Sequence, residues 1–452
     1  MEANEMGSLP VGRLLRKMSM PLIFSMLVQV LYGLVDSLYV ARLGDNALTA
    51  ISLCMPVQFL VLGVGTGIGV GVNSVLSKKL GEKDAGGVNR SAGNGFTLVW
   101  IVTVVFVVLG FVAVEPFYQI QTDITDILDM CIAYSEVLLV FSFAALHQIM
   151  MERLLSSIGR ADLTMIPMLT GAVVNIILDP IMIFGWLGCP AMGIAGAGIA
   201  TVTAQAVAAL TGLVLNLRFN REVKISGRDF ILKAEIVAEI IKIGVPVALS
   251  QCLLAIAALG MNAILLGLSA LAPGVYVIFL RLQSFIIMPS SGMSSAGISI
   301  IAYNYGAKEK DRIMGTLWSS LRVNLVIAVV GLVVFMIFPR QLLLMFNASE
   351  EMMGIGIPAL RFVAAAFLFT TTTQILSGFL QAMGQGTASF IVATAQTAFM
   401  LLFAWLLAQT GSATLVWLAF PLMEVTRFVI AVIMVKRTYR GKIANLQTMQ
   451  EG

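Results

Sequence analysis

The chain has 452 residues, 59% of them hydrophobic and only 12% charged, against about 25% charged in soluble globular domains. With a mean hydropathy of +0.95, this excludes a soluble domain and places most of the mass in lipid. The net charge of +4 does not argue for nucleic-acid binding. The four scattered cysteines (Cys54, Cys131, Cys189, Cys252), with no CxxC pair, suggest neither a metal site nor a disulfide framework. They read as small apolar packing residues.

The polar N-terminus (MEANEMGS) leads through Arg13, Arg16 and Lys17 into an apolar run too long for a signal h-region, so an uncleaved anchor is expected. Apolar stretches of about 20 residues cross the hydrocarbon core as helices. Twelve occur, centred near residues 30, 62, 102, 142, 175, 205, 252, 287, 326, 367, 399 and 425. They are continuously apolar, not alternating, which argues against a β-barrel. The fold class predicted is therefore all-α integral membrane. Lys and Arg gather at 13–17, 78–90, 153–160, 218–242, 308–322 and 436–442, while the alternate connections near 44, 115–130, 187–193, 270, 340–351 and 411 hold few. By the positive-inside rule both termini are expected in the cytoplasm, with the chain multi-pass in the plasma (cell inner) membrane. The basic connection from Arg218 to Lys242 is expected to include a short amphipathic helix on the inner membrane face.

The two halves overlay at a constant offset of 225 residues: Pro21 on Pro246, Gln58 on Gln283, Gly67 on Gly292, Gly81 on Gly306 and Gly159 on Gly384. The loops SKKLGEKD (77–84) and YNYGAKEKD (303–311) correspond in the same way. The expected division is an N-lobe of six spans (1–220), a cytoplasmic linker (221–236) and a C-lobe of six (237–452). An even number of spans per lobe makes the repeats parallel. In the second span Gly63, Gly65, Gly67, Gly69 and Gly71 recur at four-residue spacing, which lets helix backbones approach closely. A phosphate-binding loop is excluded, because no Gly-Lys-Ser/Thr follows.

Charge in hydrocarbon costs about 2.5–3.5 kcal/mol on insertion scales, so it persists where it lines water or meets a partner. The candidates are Asp36, Glu136, His147, Glu152, Arg153, Asp179, Arg281, Arg361, Glu424 and Arg427. Glu152, Arg153 and Arg160 lie near the inner end of the fourth span, where side chains can snorkel, and Glu424 and Arg427, three apart on the twelfth, can pair with each other. The first span is expected to end near Gly44 and the fifth near Leu187, leaving Asp36 and Asp179 each eight residues short of the outer rim. That is roughly 12 Å below it, and Thr201, on the returning sixth span, lies at a similar depth. Asn175 and Tyr32 stand four residues before the two acids, one turn deeper on the same faces. Two carboxylates at one level in low dielectric cannot both ionise cheaply. At least one is expected to stay protonated, or the set to hold a hard cation such as sodium. Pro180 frees the Ile176 carbonyl nearby. In the second half Asp36, Asn175 and Asp179 are replaced by Met261, Met400 and Ala404, so the site belongs to one half alone.

His147 is the only histidine. A packing residue is expected, with a proton relay as the alternative. Glu136 has Arg361 as its repeat partner and charge compensation between halves is open, while Arg281 is a candidate for a central cleft. The 26 methionines and the aromatic residues suit an adaptable apolar surface.

Four segments carry a family resemblance: LYGLVDSLYVARLGDNALTA (31–50), LLSSIGRADLTMIPMLTGAVVNIILDPIMIFG (154–185), MGIAGAGIATVTAQ (192–205) and RLQSFIIMPSSGMSSAGISIIAYNYGAKEKDR (281–312). Together they resemble the multidrug and toxic compound extrusion (MATE) family over nearly the whole chain. The most specific part is Asn-x-x-x-Asp-Pro in the fifth span, followed by Gly-x-x-Gly-Ala-Gly-x-Ala-Thr in the sixth. The resemblance implies a V of two six-helix lobes. It also implies antiport of cationic, amphipathic or aromatic compounds against protons or sodium ions, without a cofactor. The DNA-damage-inducible (DinF-like) branch implies an N-lobe coupling site, and its residues fall here on Asp36, Asn175, Asp179, Thr201 and Tyr32. Pro21 falls on a helix-bending position and Gln29 on a polar one. Another branch implies a C-lobe sodium site with a Glu in the seventh span and an Asp in the tenth. Here those places hold Leu254 and the threonine run FTTTTQILSG, so that site is not expected.

The expected function is export by alternating access, by a monomer in the bilayer that handles small molecules. The alternative is a lipid-linked oligosaccharide flippase, whose pyrophosphate cargo calls for an arginine-lined cavity. An enzyme is not expected, since no catalytic constellation such as HExxH is present. Nor is a channel, since no carbonyl filter or charged ring can be read.

Overall fold

The computed structural model describes residues 5–269, 271–346, 349–444 and 446. The first four residues of the polar N-terminus and parts of the connections near 270 and 347–348 lie outside them. A short α1 (Glu5–Ser8) precedes α2 (Val11–Ala41), α3 (Asp45–Gly81), α4 (Ala85–Val112), α5 (Val114–Gln119), α6 (Thr125–Val140), α7 (Phe143–Ser157), α8 (Ala161–Phe184) and α9 (Gly193–Phe219). The second half comprises α10 (Ala234–Leu266), α11 (Ala272–Gly306), α12 (Lys310–Ile337), α13 (Pro339–Leu344), α14 (Glu350–Ala382), α15 (Gly386–Ala408) and α16 (Ala419–Thr438), ending in a π-turn over Tyr439–Ile443. No strand occurs among the described residues.

Among the described residues eleven helices are long and apolar enough to cross a membrane, and α6 with α7, bent by 45° at their junction, pass the same test together as a candidate twelfth. The spans fall where the apolar runs predict. The break at Phe141 and Ser142 was not expected. It contains no proline or glycine, and its repeat counterparts, Ala366 and Phe367, lie inside the unbroken α14. The helix faces left uncovered by packing carry large apolar side chains: Phe111 is 70% exposed, Val112 69%, Leu217 79% and Val326 63%. In water such a surface would aggregate, and it is the surface lipid requires.

The midpoint connection departs from expectation. Residues 234–242 already belong to α10, and between α9 and α10 there is only a single 3-10 turn, Gly227–Phe230, in place of an amphipathic helix. Side chains of α4 satisfy this segment's backbone instead. Asn94 Nδ2 donates to the carbonyls of Asp229 (2.9 Å) and Ile231 (3.1 Å), and its Oδ1 accepts from the Lys233 N–H (2.7 Å). Thr97 donates to the Phe230 carbonyl (2.7 Å), and Asn89 accepts from the Lys224 N–H (2.8 Å). With its polar groups paired this way, the segment has no need of helical hydrogen bonds.

The glycine pattern of α3 resolves into two faces. Gly63, Gly67 and Gly71 lie against α10, where an added Cβ would meet Gln251, the Gly244 carbonyl and the Ile240 carbonyl. Gly65 and Gly69 lie against α7, facing Ile149, Leu146 and Arg153. At the basic end α3 and α11 come closer still. A Cβ on Gly81 would collide with the Tyr303 carbonyl, and one on Gly306 with the Lys78 carbonyl. These two contacts are related by the repeat, as are two hydrogen bonds that cross between the halves. Ser74 Oγ donates to the Gln381 carbonyl at 3.0 Å, and Ser299 Oγ meets Ser156 Oγ at 3.1 Å. Arg153 also crosses, its guanidinium reaching Ser295 Oγ at 3.4 Å, while Glu152 accepts from Gln148 at 3.0 Å. Both are half-buried and engaged within the protein. The N-terminal segment adds to the closure, since Arg312 donates to the carbonyls of Met6 (2.8 Å) and Leu9 (2.9 Å).

Gly81→Leu is therefore expected to destabilise the protein by at least the ~1–3 kcal/mol typical of overpacking, because backbone atoms cannot rotate away. Gly12→Leu, with open space around its Cα, serves as control. Thermal unfolding in detergent measures both, and equal melting temperatures would contradict this view of the seam.

Candidate functional site

Helix α2 packs along α8, and α8 along α9. α2 ends at Ala41 and α8 at Phe184, so Asp36 and Asp179 each stand five residues from their helix ends. Both ends come three residues earlier than expected. The shift is the same on each helix, so the acids keep a common level. Their side chains meet: the Asp36 carboxyl is within hydrogen-bonding reach of Asp179.

Asp179 and Asn175 are buried, at 0% and 3% exposure, whereas Asp36 is partly open. Asn175 Nδ2 donates to Asp179 Oδ1 at 3.1 Å. Asp179 Oδ2 is enclosed and has no hydrogen-bond donor among the described residues, and the same holds for Asn175 Oδ1. A shielded carboxylate oxygen without a donor is costly. Facing a second carboxylate, it is relieved only by a proton or a cation placed between acceptors.

Two phenols complete the surroundings. Tyr32 on α2 and Tyr134 on α6 both lie within electrostatic reach of Asp36 and Asp179. Tyr134 Oη accepts from Gln58 Nε2 at 2.7 Å, which leaves its own proton to donate elsewhere. Behind it, Tyr118 Oη and Ser135 Oγ share a hydrogen bond of 2.7 Å. Cys54 and Cys131 also meet there as free thiols, a proximity their sequence spacing could not reveal. Arg281, on α11 of the other half, comes within electrostatic reach of Asp36.

Thr201 is half-buried on α9, eight residues from its start. Its hydroxyl makes no hydrogen bond among the described residues, unlike Thr211 of the same helix, which bonds back to the Val207 carbonyl at 2.8 Å. Pro21 lies inside an unbroken α2, where Ser25 Oγ takes up the Pro21 carbonyl at 2.8 Å, and Ser250 does the same for Pro246 at 2.8 Å. Gln29 is exposed, two turns below Asp36. Glu136 and Arg361 form no ion pair among the described residues, because Glu136 is half-buried on α6 and Arg361 exposed on α14. His147 packs against Trp100 (ring centroids 4.8 Å apart) and Phe96 (6.3 Å), and its Nδ1–H meets the Phe143 carbonyl at 2.8 Å. That is the packing reading. Tyr134 and Gln58 were not expected in the site. Gln58 carried a signal in its repeat correspondence with Gln283, while Tyr134 is two residues from the named Glu136 and had none.

Among the described residues no three His, Cys, Asp or Glu side chains converge on a metal-binding position. The site offers two carboxyls, an amide and hydroxyls, which suits a proton or a hard monovalent ion and not a transition metal.

A polytopic bundle with twelve candidate spans, repeated halves and a polar site in one of them is a transporter architecture. The MatE family model matches the chain twice, over residues 21–181 and 246–406, in register with the 225-residue offset. The chain belongs to the MATE family, whose members are transporters and not enzymes. It is similar to the multidrug export protein MepA of Staphylococcus saprophyticus subsp. saprophyticus, with 28% identity over 84% of this chain and 83% of that one. A structure described as the outward-facing conformation of a multidrug resistance MATE family transporter is 25% identical, with a TM-score of 0.91 over 99% of each chain. A transporter of the same superfamily from Pyrococcus furiosus, described as having a binding pocket of reverse polarity, is 25% identical, with a TM-score of 0.90 over 99% of each chain.

Asn175→Ala removes the amide that serves Asp179 and is expected to cost about 1–3 kcal/mol of stability. Asn175→Ala together with Asp179→Leu should recover part of that loss, which thermal unfolding of both variants checks. His147→Phe preserves the ring contacts and is expected to leave transport by vesicles unchanged.

Proposed function

We propose that this protein exports cationic or amphipathic drugs in exchange for protons or sodium ions, with Asp36 and Asp179 as the coupling pair. The observation that carries this reading is the enclosed Asp179 Oδ2, without a donor and beside a second carboxyl. Such a pair holds a small cation when closed and releases it when water or a competing charge reaches it. Asn175 orients Asp179, Tyr32 and Tyr134 surround the pair, and the unbonded hydroxyl of Thr201 supplies a further oxygen ligand if the ion is sodium. Pro21 and Gln29 then set the bend and the polar lining of α2. Arg281 stands opposite Asp36 as a fixed countercharge that a cationic drug has to contend with.

The rest follows from the same reading. Residues 1–220 and 237–452 act as two lobes that rock about the helices joining them, with 221–236 as linker, in a monomer of the DinF-like branch. The basic loops support a cytoplasmic position for both termini and for the Gly81–Tyr303 end of the seam in a plasma-membrane protein, and on that reading the close packing there shuts the inner side. Exchange requires the ion and the drug to differ in affinity between the two states, since otherwise neither shifts the equilibrium. One proton descending one pH unit releases about 1.4 kcal/mol, enough to hold about a tenfold gradient of a singly charged drug.

A flippase is less well supported. Arg427 is buried and paired with Glu424 at 3.2 Å, Arg361 is exposed on α14, and of these three arginines Arg281 alone comes within electrostatic reach of Asp36, so among the described residues they gather no cluster for a pyrophosphate.

Asp36→Asn and Asp179→Asn are each expected to abolish export of a cationic dye, at least a hundredfold in rate, while inserting in the membrane normally. Proteoliposomes with pH and sodium gradients imposed separately identify the ion. Undiminished dye export by Asp36→Asn would end the assignment.

A further inference from the structure

At the basic end of the seam a cavity of about 120 Å³ opens between α3, α10, α11, α14 and the terminal π-turn. Lys78, Lys242 and Lys442 line it together with Tyr305, and Glu239 is the single carboxylate in the lining among the described residues. Lys78 is matched by Glu239 at 3.5 Å and by Glu82 at 3.9 Å. Lys242 and Lys442 form no ion pair among the described residues. Lys442 donates to the Met383 carbonyl at 2.7 Å, sits 5.9 Å from the Tyr305 ring centroid and is within electrostatic reach of Lys242 and Lys78. The N-terminus of α15 adds to the positive field. It begins at Gly386, has no side-chain cap, and packs against the backbone of Lys242 and Ile243.

Ammonium groups from three separate helical segments, gathered on one cavity with a single carboxylate, repel one another unless an anion offsets them. Basic pockets between helices near the headgroups suit phosphate groups. We propose that this cavity is a phosphate-binding site, with Lys242 and Lys442 as its principal ligands. Lys78 lies in the first half of the chain and the other charged lining residues in the second, so a bound phosphate bridges the seam and favours its closed form. Binding itself does not depend on antiport. Its effect on the seam rests on the alternating-access reading above.

The test uses the full-length protein in nanodiscs. Discs of phosphatidylcholine alone are titrated with inorganic phosphate, and a second set contains phosphatidylglycerol, with thermal unfolding as readout. Stabilisation by phosphatidylglycerol alone assigns a lipid headgroup, and stabilisation by inorganic phosphate assigns a soluble anion. Lys242→Gln with Lys442→Gln is expected to weaken binding roughly thirtyfold, the strength of two lysines at a charged headgroup surface. Glu239→Gln is expected to tighten it, an effect that a merely structural ion pair would not produce. No stabilisation by either anion, or an unaltered response in the double-lysine variant, overturns the site. Phosphate protection in nanodiscs, with the drug transport rate in proteoliposomes unchanged by the double-lysine substitution, retains the site and overturns its role at the seam. Undiminished export by Asp36→Asn would strike the antiport reading and leave the phosphate result standing.

Discussion

Backbone packed against backbone at glycine governs the arrangement of this protein. Lipid gives apolar helices no hydrophobic reason to associate, so dispersion at close range and hydrogen bonds across the gap have to do so. Gly81 against the Tyr303 carbonyl and Gly306 against the Lys78 carbonyl bring α3 and α11 to the shortest approach the chain allows. Only at that separation can short side chains reach across. The hydroxyls of Ser74 and Ser299 then find partners in the opposite half. The seal at the basic end is thus a consequence of missing Cβ atoms more than of attractive side chains.

Toward the other end of the helices the two halves differ in chemistry. The first half carries Asp36 and Asp179, with one oxygen lacking a donor. At the repeat positions the second half packs Met261, Met400 and Ala404, all buried. Its own buried charges, Glu424 and Arg427, neutralise one another at 3.2 Å. A compensated pair has little to gain from an external ion, whereas an uncompensated one does. The duplicated scaffold thus carries an uncompensated acid pair in one half and a compensated ion pair in the other.

Much of this was legible from residues alone, because each signal was local. Span positions follow from apolar length, and the common depth of Asp36 and Asp179 follows from a constant rise per residue. The glycine faces follow from four-residue spacing. Errors arose where a distant helix supplied what the local segment lacked. The linker forms no amphipathic helix because Asn89, Asn94 and Thr97 of α4 satisfy its backbone. Arg153 turns across the seam to Ser295, a contact no local pattern announces.

By itself the sequence determined a duplicated twelve-span membrane protein, the level of its acids, and the half that holds them, since composition and helical rise leave few alternatives. Only the tertiary structure decided which hydroxyls and amides surround those acids, that Tyr134 and Gln58 join them, and that the sealed end is the basic one. It likewise brought Lys78, Lys242 and Lys442 to one cavity. These are contacts between segments far apart in the chain, and they depend on how helices pair and rotate. Periodicity within a single helix carries no record of either.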